Sequence, residues 1–488
     1  MSSEGLKSSE RIEAGGRPGE WRGVVAMSIP VVVTTSSRAM MDVADYIMIS
    51  CLRQDEAQAA ILPAQLVLFC YIVLGMGIVS VVNTFTAQQL GRGRQQACGA
   101  YAWQGIYIAA IFGLLALAVI PGLPMVIAWM GHAPEVQKLE LAYSRVALLT
   151  SGPSIAAAGL AHFFVGIHRP RVTMWTAIEG NLVNIAVSVV LIFGYLGFEP
   201  MGIAGAAWGT LAAVSYRTLR LTATLLMPRT ARVFGSFSWR FSPRKAWDLV
   251  RVGTPCGFQW LAEVLGWALF VTVLVAQRFG TVHQIATNTA WQYLRVSFLP
   301  AMGLGIALTA LVGKSIGAGQ PRRAVRETRI ALAMTVGYMG TLSLIYFLFR
   351  RTLIGWFNDD PEIIRIGAQV MVCAAVFQLF DAAGITYNSA LRGAGDTFWP
   401  SMIYIGCTWG ILMGGGYLII QLLPEMGSLG PWLAASILII VAASLLWWRW
   451  HSRAWMRINL FKGEDGRPGA SSDAEERASA CVTACEAR

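Results

Sequence analysis

Residues 90–97 read LGRGRQQA and residues 316–324 read IGAGQPRRA. Each follows a long apolar run, places two glycines either side of a single residue, and leads through polar residues into another apolar run. The glycines, Gly91 and Gly93 against Gly317 and Gly319, are 226 residues apart. Working outward, the correspondence continues at nearly the same offset. Pro30 in VAMSIP answers Pro255 in VRVGTP. Trp129, Pro134 and Glu135 in WMGHAPEV answer Trp356, Pro361 and Glu362 in WFNDDPEI. Gly166 before IHRPR answers Gly393 before AGDT. A repeat of this length determines architecture before any local reading. In a membrane chain it points to a transporter whose site lies between the halves.

Composition places the chain in the membrane. Hydrophobic residues make up 55% and charged residues 13%, against about 25% charged in a soluble domain. Apolar runs of roughly 20 residues, enough to cross about 30 Å of hydrocarbon, recur twelve times. They lie at about 24–50, 61–86, 101–128, 141–167, 172–194, 202–226, 248–276, 284–313, 330–349, 363–391, 398–423 and 429–448. In lipid each run must satisfy its own backbone hydrogen bonds, so each is expected to be a helix. The fold class is therefore an all-α polytopic membrane protein of two six-helix bundles. An even number of spans per repeat returns the chain to its starting side, so the repeats are parallel. The expected division is a tail (1–23), an N-lobe (24–226), a basic linker (227–247), a C-lobe (248–450) and a polar, unstructured tail (451–488).

The net charge of +11 follows topology. If residue 1 starts inside, Lys and Arg number 26 in the inner loops and tails against 6 in the outer loops. That asymmetry is the positive-inside rule. It implies cytoplasmic termini in a bacterial inner membrane, and it removes the argument for a nucleic-acid partner. Catalytic motifs do not appear: no GxSxG, no HExxH, and Gly313-Lys314-Ser315 lacks the P-loop glycine, Leu308 standing there. The eight cysteines have no metal spacing. The chain is expected to be no enzyme, to carry no cofactor, and to draw its energy from an ion gradient.

Charges inside spans then become informative, because each costs about 2.5–3.5 kcal/mol at the bilayer centre and usually faces a cavity or a partner. Asp42 and Asp45 lie in span 1, Glu179 in span 5, Glu263 in span 7 and Asp381 in span 10. A protonated carboxyl is neutral and tolerated in low dielectric; an ionised one holds Na⁺ or an organic cation. Glu263 and Asp381 have no basic residue within a turn, which favours a functional role. Arg38 precedes Asp42 by four residues, a helical ion-pair spacing, and also shares a face with Asp45. Asp42 is either its partner or a cation ligand. Arg145 and Arg295 are further candidate partners for these acids.

At these residues the chain resembles the multidrug and toxic compound extrusion (MATE) family, in its NorM-like branch. The resemblance spans about residues 24–450 and rests on nine ordered pieces, among them TAQQLGRGRQQA, NLVNIAVSVVLIFG, GTPCGFQWLAEV, ALVGKSIGAGQPRRA and FQLFDAAGITYNSALRGAGDT. It implies twelve helices around a V-shaped cavity. It implies export of bulky, often cationic compounds in exchange for Na⁺ or H⁺, by a monomer in the lipid bilayer. The family's coupling positions fall on Glu263 and Asp381, where a Na⁺ would be the only metal expected, and on Asp45. An N-lobe polar site falls on Asn184, Ser188 and Thr210, with Asp42 nearby. Ser188 replaces the more usual Asn or Asp, and Arg38 stands where relatives carry an uncharged residue. Trp260, Trp267 and Trp291 either line the cavity, binding flat cations by cation–π contact, or pack. Two other readings stay open: a lipid-linked saccharide flippase of the same superfamily, and a membrane sensor or enzyme that transports nothing.

Overall fold

A computed structural model describes residues 18–50, 55–130 and 134–461. Within the first two helices some side chains, those of Arg38, Asp42 and Asp45 among them, lie outside the described residues. Twelve long helical segments follow one another. In the N-lobe they are α1 (Pro18–Ser50), α2 (Asp55–Ser80, continuing as Val82–Gly91), α3 (Cys98–Val119), α4 (Pro134–Leu149 with Ser151–Gly166), α5 (Pro170–Phe193) and α6 (Ile203–Leu226). In the C-lobe they are α7 (Pro243–Leu269), α8 (Thr281–Gly317), α9 (Pro321–Leu348), α10 (Pro361–Ala394), α11 (Phe398–Gly406, extended through Gly416–Leu422) and α12 (Leu429–His451). Among the described residues nine helices are long and apolar enough to cross a membrane, and α4, bent by 41°, makes a tenth. The other two long helices are α1 and α6, of 33 and 24 residues. Both ends of the described residues, Glu20 beside Arg326 and Phe461 beside Arg92, lie on one face of the bundle, called here the terminal side.

Local chemistry explains the starts and stops. Proline opens α5, α7, α9 and α10, where its missing N–H would have had no partner anyway. In the WFNDDPEI stretch Asp360 caps α10, its side chain accepting from the Glu362 backbone N–H at 2.8 Å. Large apolar side chains such as Leu114 and Leu348 are exposed on the outer surface, as a lipid-facing wall requires. The cores face inward: Phe85, Tyr101, Phe163 and Phe164 in the N-lobe, Phe270, Phe377 and Trp432 in the C-lobe.

The lobes meet through glycines, and the meeting is two-fold. A methyl on Gly91 would collide with the Lys314 carbonyl, and one on Gly317 with the Gln88 carbonyl. These are the same contact, since Gln88 and Lys314 are also 226 residues apart. The pattern repeats deeper in the bundle. A methyl on Gly77 would meet the Gly257 backbone, and one on Gly303 would sit 2.8 Å from Val32 Cα. So α2 crosses α8 on the pseudo-axis, flanked by α2 against α7 and α8 against α1. With no side chain between them the helices touch backbone to backbone. This self-complementary seam lies toward the terminal side. The Glu20–Arg326 ion pair, at 2.9 Å, adds to it.

Two readings change. Composition predicts an unstructured stretch from residue 451, yet residues 451–461 pack against the bundle. Trp455 is 1% exposed and stacks on Trp450 with centroids 4.4 Å apart. Phe461 packs edge-on to Phe85, with the Arg92 guanidinium 4.6 Å from its ring. Aromatic burial outweighs the polar composition here, and the segment straps the C-lobe to the N-lobe. The linker also does not run free to residue 247. It forms a short helix, Pro228–Phe234, and α7 begins at Pro243. Trp103 Nε1 donates to the Ser236 carbonyl at 2.8 Å, which holds the linker against α3.

In the turn after α4, His168 lies against the Ala310 carbonyl of α8. Burial, with Lys314 and Arg323 nearby, pushes its imidazole down to about 4. In the unfolded chain it titrates near 6.5. A base lowered by folding contributes stability that is whole above about 6.5 and is lost as pH falls toward 4. The apparent Tm in detergent is therefore expected to fall across that window, and to fall less steeply in His168→Gln. Parallel slopes in the two proteins would contradict the assignment.

Candidate functional site

Glu263 and Asp381 come from different helices of the C-lobe. Glu263 sits on α7, two turns before its α-helical geometry gives way to a π segment at Phe270–Ala276. Gly266 lets that part of α7 press on Thr408, which belongs to a second π segment, Cys407–Gly415, in α11. Such segments are frequent at functional sites because they free backbone groups and re-aim side chains. Asp381 sits near the middle of α10. Both carboxyl side chains are half-buried, within electrostatic range of each other and of Tyr404 on α11. Tyr404 reaches α10 beside Gly384, its hydroxyl 3.0 Å from where a Cβ there would be. One turn before Asp381, Gln378 is fully buried and neither amide atom has a hydrogen-bond partner. The region thus combines two carboxylates with unsatisfied polar atoms, a composition that a partly hydrated cation or water would complete.

Glu263 is held by Gln259, four residues back on its own helix, and through it by a residue of α10 that spacing along α7 does not reveal. Gln259 Nε2 donates to Glu263 Oε1 at 2.8 Å. The Gln259 carbonyl oxygen in turn accepts from Arg392 Nη2 at 2.9 Å and from Ser401 Oγ at 3.1 Å. Arg392 lies in the last turn of α10, where a basic residue draws no notice. A signal was present: it follows Asp381 by eleven residues, three turns, on the same face of α10.

The remaining candidates are dispersed. In the N-lobe, Asn184 and Ser188 are fully buried one turn apart on α5, their side-chain polar atoms without partners. Gly209 on α6 faces Ser188, while Thr210 hydrogen-bonds the Ala206 carbonyl in its own helix at 3.1 Å. Asp42, Asp45 and Arg38 belong to α1, but their side chains lie outside the described residues, so their relation to these groups is not described. Glu179 is held by Tyr216, at 2.9 Å, and Arg220, at 3.5 Å, which gives it a structural role. Arg145 is exposed on α4 and Arg295 half-buried on α8. Trp260 lies under the Arg392 guanidinium, 5.5 Å from it. Trp267 and Trp291 pair with each other, centroids 4.8 Å apart, against the C-lobe core. Among the described residues no group of three His, Cys, Asp or Glu side chains is placed to hold a metal ion.

Comparison with known proteins agrees with this architecture. The sequence model of the MatE family matches two segments, residues 30–190 and 255–418. A "Probable multidrug resistance protein NorM" of Rhizobium meliloti is 27% identical over 453 residues, covering 88% of this chain and 93% of the relative. The "Multidrug resistance protein PmpM" of Pseudomonas aeruginosa is 27% identical, covering 82% and 83%. A solved structure described as the outward-facing conformation of a multidrug resistance MATE family transporter superposes with a TM-score of 0.81 at 21% identity, covering 90% of this chain and 97% of that one. Another, of a MATE protein in a bent conformation, also gives 0.81 at 21% identity, covering 91% and 97%. These structural likenesses carry the fold, and the two matched segments carry the family. This chain is a multi-pass membrane protein of the MATE family, in its NorM-like branch, a family of transporters and not of enzymes.

Proposed function

We propose that this protein is a secondary active efflux transporter. It exports bulky, often cationic organic compounds in exchange for Na⁺ or H⁺, and Glu263 and Asp381 hold the coupling ion. The observation that carries this reading is the placement of two half-buried carboxylates, from α7 and α10, within electrostatic range of each other and of Tyr404. Relatives named as multidrug resistance proteins support the class of cargo. The excess of Lys and Arg on the terminal side supports cytoplasmic termini in a bacterial inner membrane. On that orientation the glycine seam holds the two lobes together on the cytoplasmic side.

The chemistry follows from charge. An empty, ionised pair of carboxylates repels itself in low dielectric and attracts either an inorganic or an organic cation. Occupancy by one disfavours the other, and that competition is sufficient to link the two fluxes. One charge moving through 100 mV supplies about 2.3 kcal/mol. A saccharide-lipid flippase would need cations presented to the cavity, but Arg392 is engaged by Gln259 and Trp260. The test is efflux of a cationic dye from proteoliposomes. An imposed Na⁺ gradient and, separately, an imposed pH gradient should differ, one of them driving accumulation. Failure of both to drive any efflux would refute ion-coupled export.

A further inference from the structure

The hydrogen bonds around Glu263 continue beyond the site. Gln259 is 1% exposed, and its orientation is chemically determined. A guanidinium has donors only, so the oxygen end of the amide must face Arg392, leaving the NH₂ end for Glu263. Arg392 then reaches the other lobe through its main chain. Its carbonyl accepts from Thr84 Oγ1 at 2.9 Å, and the next carbonyl, of Gly393, accepts from Gln88 Nε2 at 3.0 Å. Thr84 and Gln88 belong to α2, and Gln88 is the residue whose carbonyl meets Gly317 at the α2–α8 crossing. Gly393 can be this close because it packs without a side chain on the Thr309 carbonyl. A continuous path therefore runs from Glu263 through Gln259 and Arg392 to the seam between the lobes.

We infer that Gln259 and Arg392 are positioning residues that report the occupancy of Glu263 to this seam. The inference rests on Glu263 being a coupling carboxylate. When Glu263 is ionised and empty, its bond from Gln259 is charge-assisted and strong. The amide then holds Arg392, and Arg392 and Gly393 present their carbonyls to α2. A cation or proton on Glu263 removes the charge that tightens the first bond. Because bonds in a chain polarise one another, the loss weakens the grip on Arg392 and releases the Thr84 and Gln88 contacts. The Gln259 N–H also competes with the ion for Glu263 Oε1. Removing it should ease ion binding while severing the response of the lobes.

That opposite pair of effects separates positioning from mere scaffolding. The test compares wild type with Gln259→Leu, Arg392→Lys and Thr84→Val in proteoliposomes, under whichever ion gradient drives the wild type. Spin labels at exposed Gln95 and Arg322, in a background lacking the eight native cysteines that still transports, read the separation of the lobes at the terminal side. We expect Gln259→Leu to lower maximal efflux about tenfold, the ratio equivalent to 1.4 kcal/mol. Its half-saturating ion concentration should be unchanged or lower, and the ion-induced change in label distance should disappear. Arg392→Lys, which keeps the charge but not the fork, should lie between the two. If Gln259→Leu does not fold, Thr84→Val cuts the far end of the path and must give the same signature. Wild-type rates and an intact distance response in these variants would overturn the inference while Glu263→Gln remained inactive. Efflux by Glu263→Gln would instead overturn the coupling assignment, and the inference with it.

Discussion

Glu263→Gln and Asp381→Asn should each abolish ion-driven efflux while the protein still reaches the membrane in normal amounts. The replacements keep the shape and one acceptor oxygen but cannot ionise, so they offer a cation no charge and exchange no proton. The fold should tolerate them. Both side chains are half-buried, and a neutral amide in low dielectric costs less than the carboxylate it replaces. At position 263 the new carbonyl can still accept from Gln259, whose Nε2 lies 2.8 Å from the present carboxylate. Loss of one coupled charge at 100 mV removes about 2.3 kcal/mol of driving force, roughly fifty-fold in the concentration ratio that can be sustained. Dye efflux from proteoliposomes, with protein content measured alongside, decides the matter. A variant that transports like wild type would remove its residue from the coupling site.

The second large effect is expected at the lobe seam. Gly317→Val and Gly91→Val should each reduce efflux at least about tenfold and leave the terminal side open to water-soluble thiol reagents. The added carbons would meet main-chain carbonyls, of Gln88 in one case and Lys314 in the other. No rotamer change moves a carbonyl, so α2 and α8 must separate. Overpacking of this kind typically costs about 1–3 kcal/mol, enough to bias an equilibrium between closed and open lobes without dissolving either lobe's own core. Gly337 has open space around it, and Gly337→Ala provides the control, with efflux near wild type. Equal activity and equal reagent access in Gly317→Val and the control would show that the seam need not close.

Much of this arrangement was readable in the chain, and particular residues explain why. The duplicated glycines were visible as spacing. Their purpose was not, because whether Gly91 ends a helix or admits a neighbour depends on what lies opposite it. The two roles are divided: Gly91 admits α8, while Gly93, two residues on, takes φ 75° to turn the chain, as its counterpart Gly319 does at φ 68°. Glu263 and Asp381 stood out because a charge in an apolar run is conspicuous. Arg392 did not, since it lies near a helix end where a basic residue needs no explanation. Glu179 looked as informative as the other acids until Arg220, forty-one positions away, proved to be beside it. The packing of residues 451–461 was hidden by the polar composition that follows them.

The sequence by itself determined the class, the number of crossings and the parallel repeat, because hydrocarbon thickness and the cost of exposed backbone act on each segment separately. It also singled out the two C-lobe carboxylates, because the penalty for a buried charge is local. Tertiary structure alone decided what those carboxylates are connected to. Gln259, Arg392, Thr84 and Gln88 come from three helices in two lobes, and a hydrogen bond needs its partners within about 3 Å, a condition that only the packed fold imposes.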